Sequence, residues 1–150
     1  MNTKMENNNN LNCIAGKSEQ TDNNILNKYI NFHIDDIMVS GYTEKINAVY
    51  YFKPMYWWIY LIIDNKIIEL SANDGNITIR EIDKINCNFD IEEEDIFTLT
   101  YFTAKDLGFI QNIEYCYDDY KNLIKIMIFT SNFEIEFDSM SIEGFEMSLK

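Results

Sequence analysis

The stretch Tyr56–Ser71, YWWIYLIIDNKIIELS, constrains the fold of this chain more than any other. It begins with an uninterrupted run of apolar and aromatic residues that ends at Ile63. A short run rich in β-branched and aromatic side chains predicts a strand buried on both faces, because a buried helix would need more length. Asp64-Asn65 follows and tolerates positive φ, so the pair predicts the turn of a β-hairpin whose second strand includes Ile67–Leu70.

Other β signals continue along the chain. The run Asn73-Asp74-Gly75-Asn76 predicts a turn, and Phe133, Ile135 and Phe137 alternate with acidic residues. Such alternation is typical of a strand with one buried face and one solvated face. A short helix is predicted between residues 24 and 32, after an asparagine cap. We therefore predict a mainly β fold (β-rich α+β), arranged as an antiparallel sandwich or a bent sheet, with one or two short helices.

The first residues differ in composition from the rest. Residues 1–24 hold many asparagines, including Asn7 to Asn10 in a row, and few apolar side chains. A segment that buries little apolar surface does not offset the entropy cost of ordering, so residues 1–24 are predicted to be a disordered Asn-rich tail. Residues 25–150 are predicted to form a single β-rich domain.

Sliding the chain by 67 residues superposes similar residues in its two halves. Gly41-Tyr42 then falls on Gly108-Phe109, and Glu69-Leu70 falls on Glu136-Phe137. The match predicts two similar β-meander units, as an internal repeat of residues 37–91 and 104–150. Strand composition alone also generates such matches, so both explanations stay open.

The charge is strongly negative and unevenly distributed. Twelve Lys plus Arg against twenty-five Asp plus Glu give a net charge of −13. Residues 25–91 hold nine acids and six bases, a net of −3, whereas residues 92–150 hold thirteen acids and four bases, a net of −9. A surface this acidic repels nucleic acids and anionic membranes and attracts basic proteins. Acids also keep exposed strand faces solvated, which accounts for part of the imbalance.

The cysteines and the N-terminal residues bear on the cellular compartment. Cys13, Cys87 and Cys116 are widely spaced, with neither a metal-binding pattern nor a disulfide framework, which predicts reduced thiols. The first twenty residues lack the apolar core of a secretory signal, and no apolar run reaches the length of about 20 residues that spans a bilayer. We expect a cytoplasmic protein that does not enter a membrane.

Catalytic and metal-binding motifs are not found. His33 is the single histidine and lies between Phe32 and Ile34, which predicts a structural role. The acidic run 92–95 lacks the spaced oxygen ligands and the turn glycine of a calcium loop. We therefore expect no enzyme activity, no cofactor and no metal.

Acidic residues and tyrosines in the second half suit the binding of a basic protein, with tyrosine as anchor and carboxylate as complement. The predicted partner-binding residues are Glu92, Glu93, Glu94, Asp95, Tyr115, Tyr117, Asp118, Asp119, Tyr120, Glu134 and Glu136.

A small, acidic β domain without catalytic motifs resembles the immunity proteins of bacterial toxin systems, in general character over residues 25–150. The resemblance implies a non-catalytic protein that neutralises a basic, nuclease-like toxin domain by direct one-to-one binding inside the producing cell. Two alternatives stay open: a structural or assembly protein that homo-oligomerises through its sheet, and a phage-type inhibitor that mimics nucleic-acid charge. The chain itself is expected to be a monomer or a homodimer.

Overall fold

A computed structural model describes residues 12–15 and 24–150 of the chain. Ten strands and one short helix follow one another in these residues. In chain order they are β1 (Asn12–Ala15), α1 (Asn24–Asn27), β2 (Ile34–Ile46), β3 (Val49–Ile63), β4 (Lys66–Asn73), β5 (Asn76–Ile82), β6 (Ile96–Tyr101), β7 (Ile110–Tyr117), β8 (Leu123–Thr130), β9 (Glu134–Ser141) and β10 (Gly144–Leu149).

The strands form two antiparallel five-stranded sheets. The first sheet has the order β5-β4-β3-β2-β6, and the second has the order β1-β7-β8-β9-β10. In each sheet four consecutive strands form a meander, and a fifth strand is added beside the first strand of that meander. The predicted fold class is confirmed: the fold is mainly β, antiparallel and built from two similar meander units, with one short helix in the described residues.

The central hairpin forms as its sequence predicts. Strands β3 and β4 pair around Asp64 and Asn65, both of which have positive φ. Trp57 packs against the core from one face of β3, while Trp58 contacts the ring of Phe89 on the other face. Both faces of β3 are therefore covered at the tryptophans, although each tryptophan is only half-buried and the first five residues of the strand are exposed.

The core lies between the inner faces of the two sheets. Side chains alternate between the two faces of a strand, so each strand sends every second residue inward. The largest fully buried side chains of this layer include Ile59, Leu61, Leu70, Tyr115 and Phe137. Burying an aliphatic or aromatic side chain of this size contributes roughly 1.5–3 kcal/mol.

The two meanders correspond in part to the shift of 67 residues. Strands β3 and β4 end at Ile63 and Asn73, and shifting these positions by 67 gives Thr130 and Met140, at or next to the ends of β8 and β9. The shift fails for β2 and β7, because the turn that joins β2 to β3 is shorter than the turn that joins β7 to β8. A common origin of the halves stays a prediction.

Residues 83–95, here called the covering loop, lie across the outer face of the first sheet. Asn88 donates hydrogen bonds to Tyr60 Oη (3.2 Å) and to Glu69 Oε2 (3.3 Å). Phe89 packs its ring against Trp58, Tyr42 and Phe97. These five side chains belong to β2, β3, β4 and β6, so the covering loop is fixed to four of the five strands.

The prediction of a disordered N-terminal tail is wrong for Asn12–Ala15 and for Asn24, which begins α1. Residues Asn12–Ala15 form β1, which pairs with β7 from Asn12 opposite Tyr117 to Ala15 opposite Glu114. Backbone pairing and a covalent link supply the ordering energy that the polar side chains do not. The remaining residues of the predicted tail, 1–11 and 16–23, lie outside the described residues.

The prediction that all three cysteines are reduced is also wrong. Cys13 and Cys116 face each other in the β1–β7 ladder and form a disulfide across 103 positions of sequence. Cys87 is free and exposed. The spacing of the cysteines in the sequence did not predict the disulfide, because Cys13 and Cys116 become neighbours only when β1 pairs with β7. No helix in the described part of the chain is long and apolar enough to cross a bilayer.

We predict that the disulfide stabilises the fold substantially. Replacing both Cys13 and Cys116 by serine should lower the free energy of unfolding by about 2–4 kcal/mol, because the bond closes a long loop and restricts the unfolded chain. Urea unfolding of the oxidised protein and of the double variant measures the difference. Cys87→Ser is the control and should change stability little. Equal stability of the oxidised protein and the double variant would contradict the prediction.

Candidate functional site

The outer side of the second sheet carries a cluster of acidic side chains on three of its strands, β7, β9 and β10, and we call it the acidic face. Register places its side chains in three rows that run across the strands. The first row is Cys13, Cys116, Lys125, Asp138 and Glu146. The second is Glu114, Met127, Glu136 and Ser148, and the third is Asn112, Phe129, Glu134 and Lys150.

Alternation along each strand produces this surface. In β9, Ile135 and Phe137 are fully buried. The acids that alternate with them are half-buried on the opposite side, namely Glu134, Glu136 and Asp138. The same alternation in β8 and β10 directs acidic, basic and small residues outward. Adjacent strands lie about 4.8 Å apart, so five strands make a surface roughly 20 Å wide.

Lys125 lies among the acids of the first and second rows. Its Nζ is 3.0 Å from Glu136 Oε1 and 3.7 Å from Asp138 Oδ2. Partial burial lowers the pKa of Lys125, but the hydrogen bond and the charges of Glu136 and Asp138 outweigh burial and raise the pKa above its ordinary value. Lys125 is therefore a fixed cation that neutralises part of the face.

Charge on the face stays negative after this neutralisation. Five acids against two bases, Lys125 and Lys150, leave a formal net charge of −3. Asp138 and Glu146 are directly opposite each other in the β9–β10 ladder, and like charges in that relation destabilise a sheet. Half-buried Met127 and Phe129 add apolar surface between the acids. Acids around an apolar centre suit a partner that presents basic and apolar side chains.

The structure separates the predicted partner-binding residues into several places. Glu134 and Glu136 lie on the acidic face. Tyr115 and Tyr117 do not: Tyr115 is 0% exposed and Tyr117 is 7% exposed, on the inner side of β7. The prediction that they contact a partner is wrong for the folded protein, because their rings are part of the core.

The acids of the β7–β8 turn differ in role. Asp118 accepts hydrogen bonds from the backbone N–H of Tyr120 (2.9 Å) and of Asn122 (2.9 Å), and these bonds hold the turn. The Asn122 backbone bond is the main reason that the pKa of Asp118 is lowered. Asp119 is exposed, and Tyr120 is 87% exposed, so this pair is available to a partner at one end of the second sheet.

The run Glu92, Glu93, Glu94 and Asp95 lies on the first sheet, at the end of the covering loop. It is therefore separate from the acidic face. The backbone N–H of Asp95 donates to the carbonyl oxygen of Glu92 (3.0 Å), which turns the chain into β6.

Sequence reasoning missed Glu114, Asp138 and Glu146 as members of the face. Each alternates with buried residues of its strand, so the signal was present in β7, β9 and β10. Strand order was the missing information, because it decides which alternating acids become neighbours.

A buried charge cluster lies on the outer side of the first sheet. Glu69 is 3% exposed and accepts hydrogen bonds from Arg80 Nη2 (2.6 Å) and Arg80 Nε (3.1 Å). The hydrogen bond that Arg80 donates to Glu69 is the main reason that the pKa of Arg80 is raised. Asn88 satisfies the second carboxylate oxygen, so the cluster holds the covering loop in place.

His33 joins the two halves of the chain. Its Nε2 is 2.7 Å from Asp106 Oδ1, its Nδ1 is 3.1 Å from Asp35 Oδ1, and its backbone bridges to Phe109. Both ring nitrogens donate only in the imidazolium form. The hydrogen bonds to Asp106 and Asp35 raise the pKa of His33, and the bond to Asp106 has the larger effect. Among the described residues, no group of three or more His, Cys, Asp or Glu is arranged to hold a metal ion.

Comparison with protein-family models, with curated proteins and with solved structures found no match to this chain.

The His33 cluster predicts a pH-dependent stability. Because its folded pKa is raised, protonated His33 stabilises the fold fully below its unfolded pKa of about 6.5, and this contribution is lost as pH rises through the folded pKa. His33→Gln should therefore lower the thermal midpoint more at about pH 5.5 than at about pH 9. Thermal scans of both proteins at both pH values measure this. An equal loss at the two pH values would show that His33 acts through packing against Phe109 alone.

Proposed function

We propose that this protein is a non-catalytic immunity-type inhibitor that neutralises a basic, nuclease-like toxin domain by direct one-to-one binding. The observation that carries the proposal is the acidic face, a flat sheet surface with five carboxylates, a net charge of −3 and apolar side chains at its centre. The inhibitor has no reaction to perform. Its task is to cover a cationic surface that the toxin uses on its own substrate.

Charge complementarity supports this kind of partner. A toxin that acts on nucleic acid carries lysines and arginines where phosphates bind. The carboxylates of Glu114, Glu134 and Glu146 make no ion pair in the described residues that would have to break before binding. They are therefore free to meet such cations, and the net charge of −13 raises the rate of encounter.

Apolar contact supports specificity. Met127 and Phe129 lie between the acids in the second and third rows, and each is half-buried. Desolvated apolar and aromatic side chains at the centre of a contact carry much of its binding energy, while exposed acids at the rim set rate and orientation. Nucleic acids and anionic membranes would be repelled by the same surface.

A paired charge reversal on the face tests the proposal. Affinity capture with the intact chain from its native host supplies the partner, and binding kinetics are then measured with the purified pair. Glu134→Lys with Glu146→Lys should slow association about tenfold at low salt. Raising salt to about 0.5 M should shrink the difference, because screening shortens the range of charge. Asp83→Lys with Asp90→Lys changes net charge equally on the exposed covering loop and is the matched control.

Growth assays distinguish inhibition of a toxin from the alternatives. The captured partner, expressed alone, should arrest growth, and the intact chain should restore growth while the face variant restores it poorly. A harmless DNA-binding partner would favour the nucleic-acid mimic. Capture of a second copy alone would favour the assembly protein. Either result, or equal association by the face variant and its control, would overturn the proposal.

The proposal places the protein in the cytoplasm, where thiols are kept reduced. The Cys13–Cys116 disulfide removes the argument for that location that rested on unpaired cysteines. Alkylation of thiols in rapidly quenched cells tests it by mass spectrometry. Labelling of all three cysteines would support a reducing cytoplasm, whereas protection of Cys13 and Cys116 with labelling of Cys87 would place the protein in an oxidising compartment.

A further inference from the structure

Strand β6 forms an open edge of the first sheet. Its six residues, IFTLTY, pair with β2 from Ile96 opposite Thr43 to Tyr101 opposite Met38. Among the described residues, no strand pairs with its other side. Ile96 is 59% exposed and Tyr101 is 61% exposed, and Leu99 between them is also exposed. The strand therefore combines free pairing groups with accessible apolar side chains.

The hydrogen bonds of the β2–β6 ladder show which backbone groups face outward. The N–H of Phe102 donates to the carbonyl oxygen of Ile37 at 2.8 Å. In an antiparallel ladder, bonded and non-bonded positions alternate along the strand. Counting back from Phe102, the backbone groups of Thr100 and Thr98 face β2, and those of Tyr101, Leu99 and Phe97 face the open side. These three residues offer N–H donors and C=O acceptors in a row.

The other edges of the two sheets are protected against pairing. Strand β5 carries Arg80 and Glu81, β10 carries Glu146, and β1 is only four residues long. Charged residues and short strands at an edge discourage the addition of another chain. Strand β6 contains no charged residue and no proline. Of the sheet edges in the described residues, the β6 edge therefore has the fewest features that prevent pairing with a further strand.

The charge beside β6 identifies the strand that would fit. The acids Glu92–Asp95 immediately precede Ile96, and Glu92, Glu93 and Glu94 are exposed. The covering loop is fixed through Asn88 and Phe89, so this acidic run is held at one end of the edge. An added strand would meet four acids at that end, whereas residues 102–106 beyond the other end hold one lysine and one aspartate.

We propose that the β6 edge binds an extended segment of a partner protein as a sixth, antiparallel strand. The segment would alternate apolar and polar residues and continue into basic residues at its C-terminal end. Antiparallel addition matches every pairing in this sheet, and it brings the C-terminal end of the added strand beside Glu92–Asp95. Backbone hydrogen bonds supply affinity, and the acids select orientation.

A second copy of the chain fits the edge less well. In an antiparallel pair of β6 strands, the acidic run of one copy would lie beside the residues that follow Tyr101 in the other. Those residues, 102–106, contain one lysine and one aspartate, so they bring no net positive charge. Two chains of net charge −13 also repel each other. The edge and the acidic face belong to different sheets, so this inference does not depend on the proposed function.

A synthetic peptide tests the orientation. The probe alternates valine and threonine and ends in lysine-arginine-lysine, and fluorescence anisotropy measures its binding to the full chain. A control peptide with the basic residues moved to the N-terminal end should bind about tenfold more weakly, because in antiparallel addition its charges lie away from Glu92–Asp95. Equal affinity of the two peptides would overturn the proposed orientation.

Variants of the protein locate the binding site. Glu93→Lys with Glu94→Lys should weaken binding of the probe about tenfold, whereas Asp119→Lys with Glu143→Lys, an equal charge change at exposed turns of the second sheet, should leave it within about twofold. Leu99→Pro removes an outward N–H and blocks the edge, and proline is tolerated where the N–H of an edge strand faces solvent. This variant should lose binding more than about tenfold with a thermal midpoint near that of the unmodified chain.

Several results would overturn the inference. Binding that survives both Leu99→Pro and the Glu93/Glu94 reversal would place the peptide elsewhere, and no binding by the unmodified chain would remove the edge as a peptide site. Analytical ultracentrifugation tests whether a second copy of the chain binds the edge. A dimer that dissociates when Leu99 is replaced by proline would show that the edge serves self-association. If Leu99→Pro fails to fold, the loop reversal and its control decide the question, because their side chains make no contact that the fold requires.

Discussion

Packing of two sheets through their apolar inner faces is the constraint on which the rest of this structure depends. Ile59, Leu61, Tyr115, Ile128 and Phe137 are all fully buried in that layer. Because side chains alternate along a strand, a residue placed in the core sends both its neighbours outward. The choice of inward residues therefore also determines which residues lie on the outer face of each sheet. The part of each outer face that no other segment covers is the surface that a partner can contact.

The two outer faces are used differently. On the first sheet, the covering loop packs Phe89 against Trp58, and buried Glu69 accepts hydrogen bonds from Asn88 of the loop and from Arg80 of β5. A buried carboxylate without partners would be costly, so the cluster and the loop stabilise each other. On the second sheet, no loop of the described residues is bonded across the strands, and acids occupy the outward positions. The half of the chain with the larger negative charge is thus the half whose sheet has no covering loop in the described residues.

Local signals were sufficient for the parts of the fold that depend on neighbours in sequence. The apolar run before Ile63, the turn at Asp64-Asn65 and the alternation of Phe133 to Phe137 predicted their strands correctly. Tyr115 and Tyr117 were misassigned because a strand end next to acids resembles an exposed turn, whereas both rings lie in the core. The Cys13–Cys116 bond and the acidic face both depend on strand order, which joins residues far apart in sequence. Two of the five acids of the face, Glu134 and Glu136, were predicted from the alternation of one strand.

Repulsion between like charges on the acidic face favours the binding of cations, whichever molecule supplies them. Asp138 and Glu146 face each other as like charges, and Lys125 is the only base within ion-pair distance of either in the described residues. A partner that brings further cations would relieve this repulsion in the complex, whereas the free protein retains it. A ligand that binds only the folded chain also stabilises it by mass action. The proposed cationic partner would therefore stabilise the folded chain by relieving the repulsion between Asp138 and Glu146.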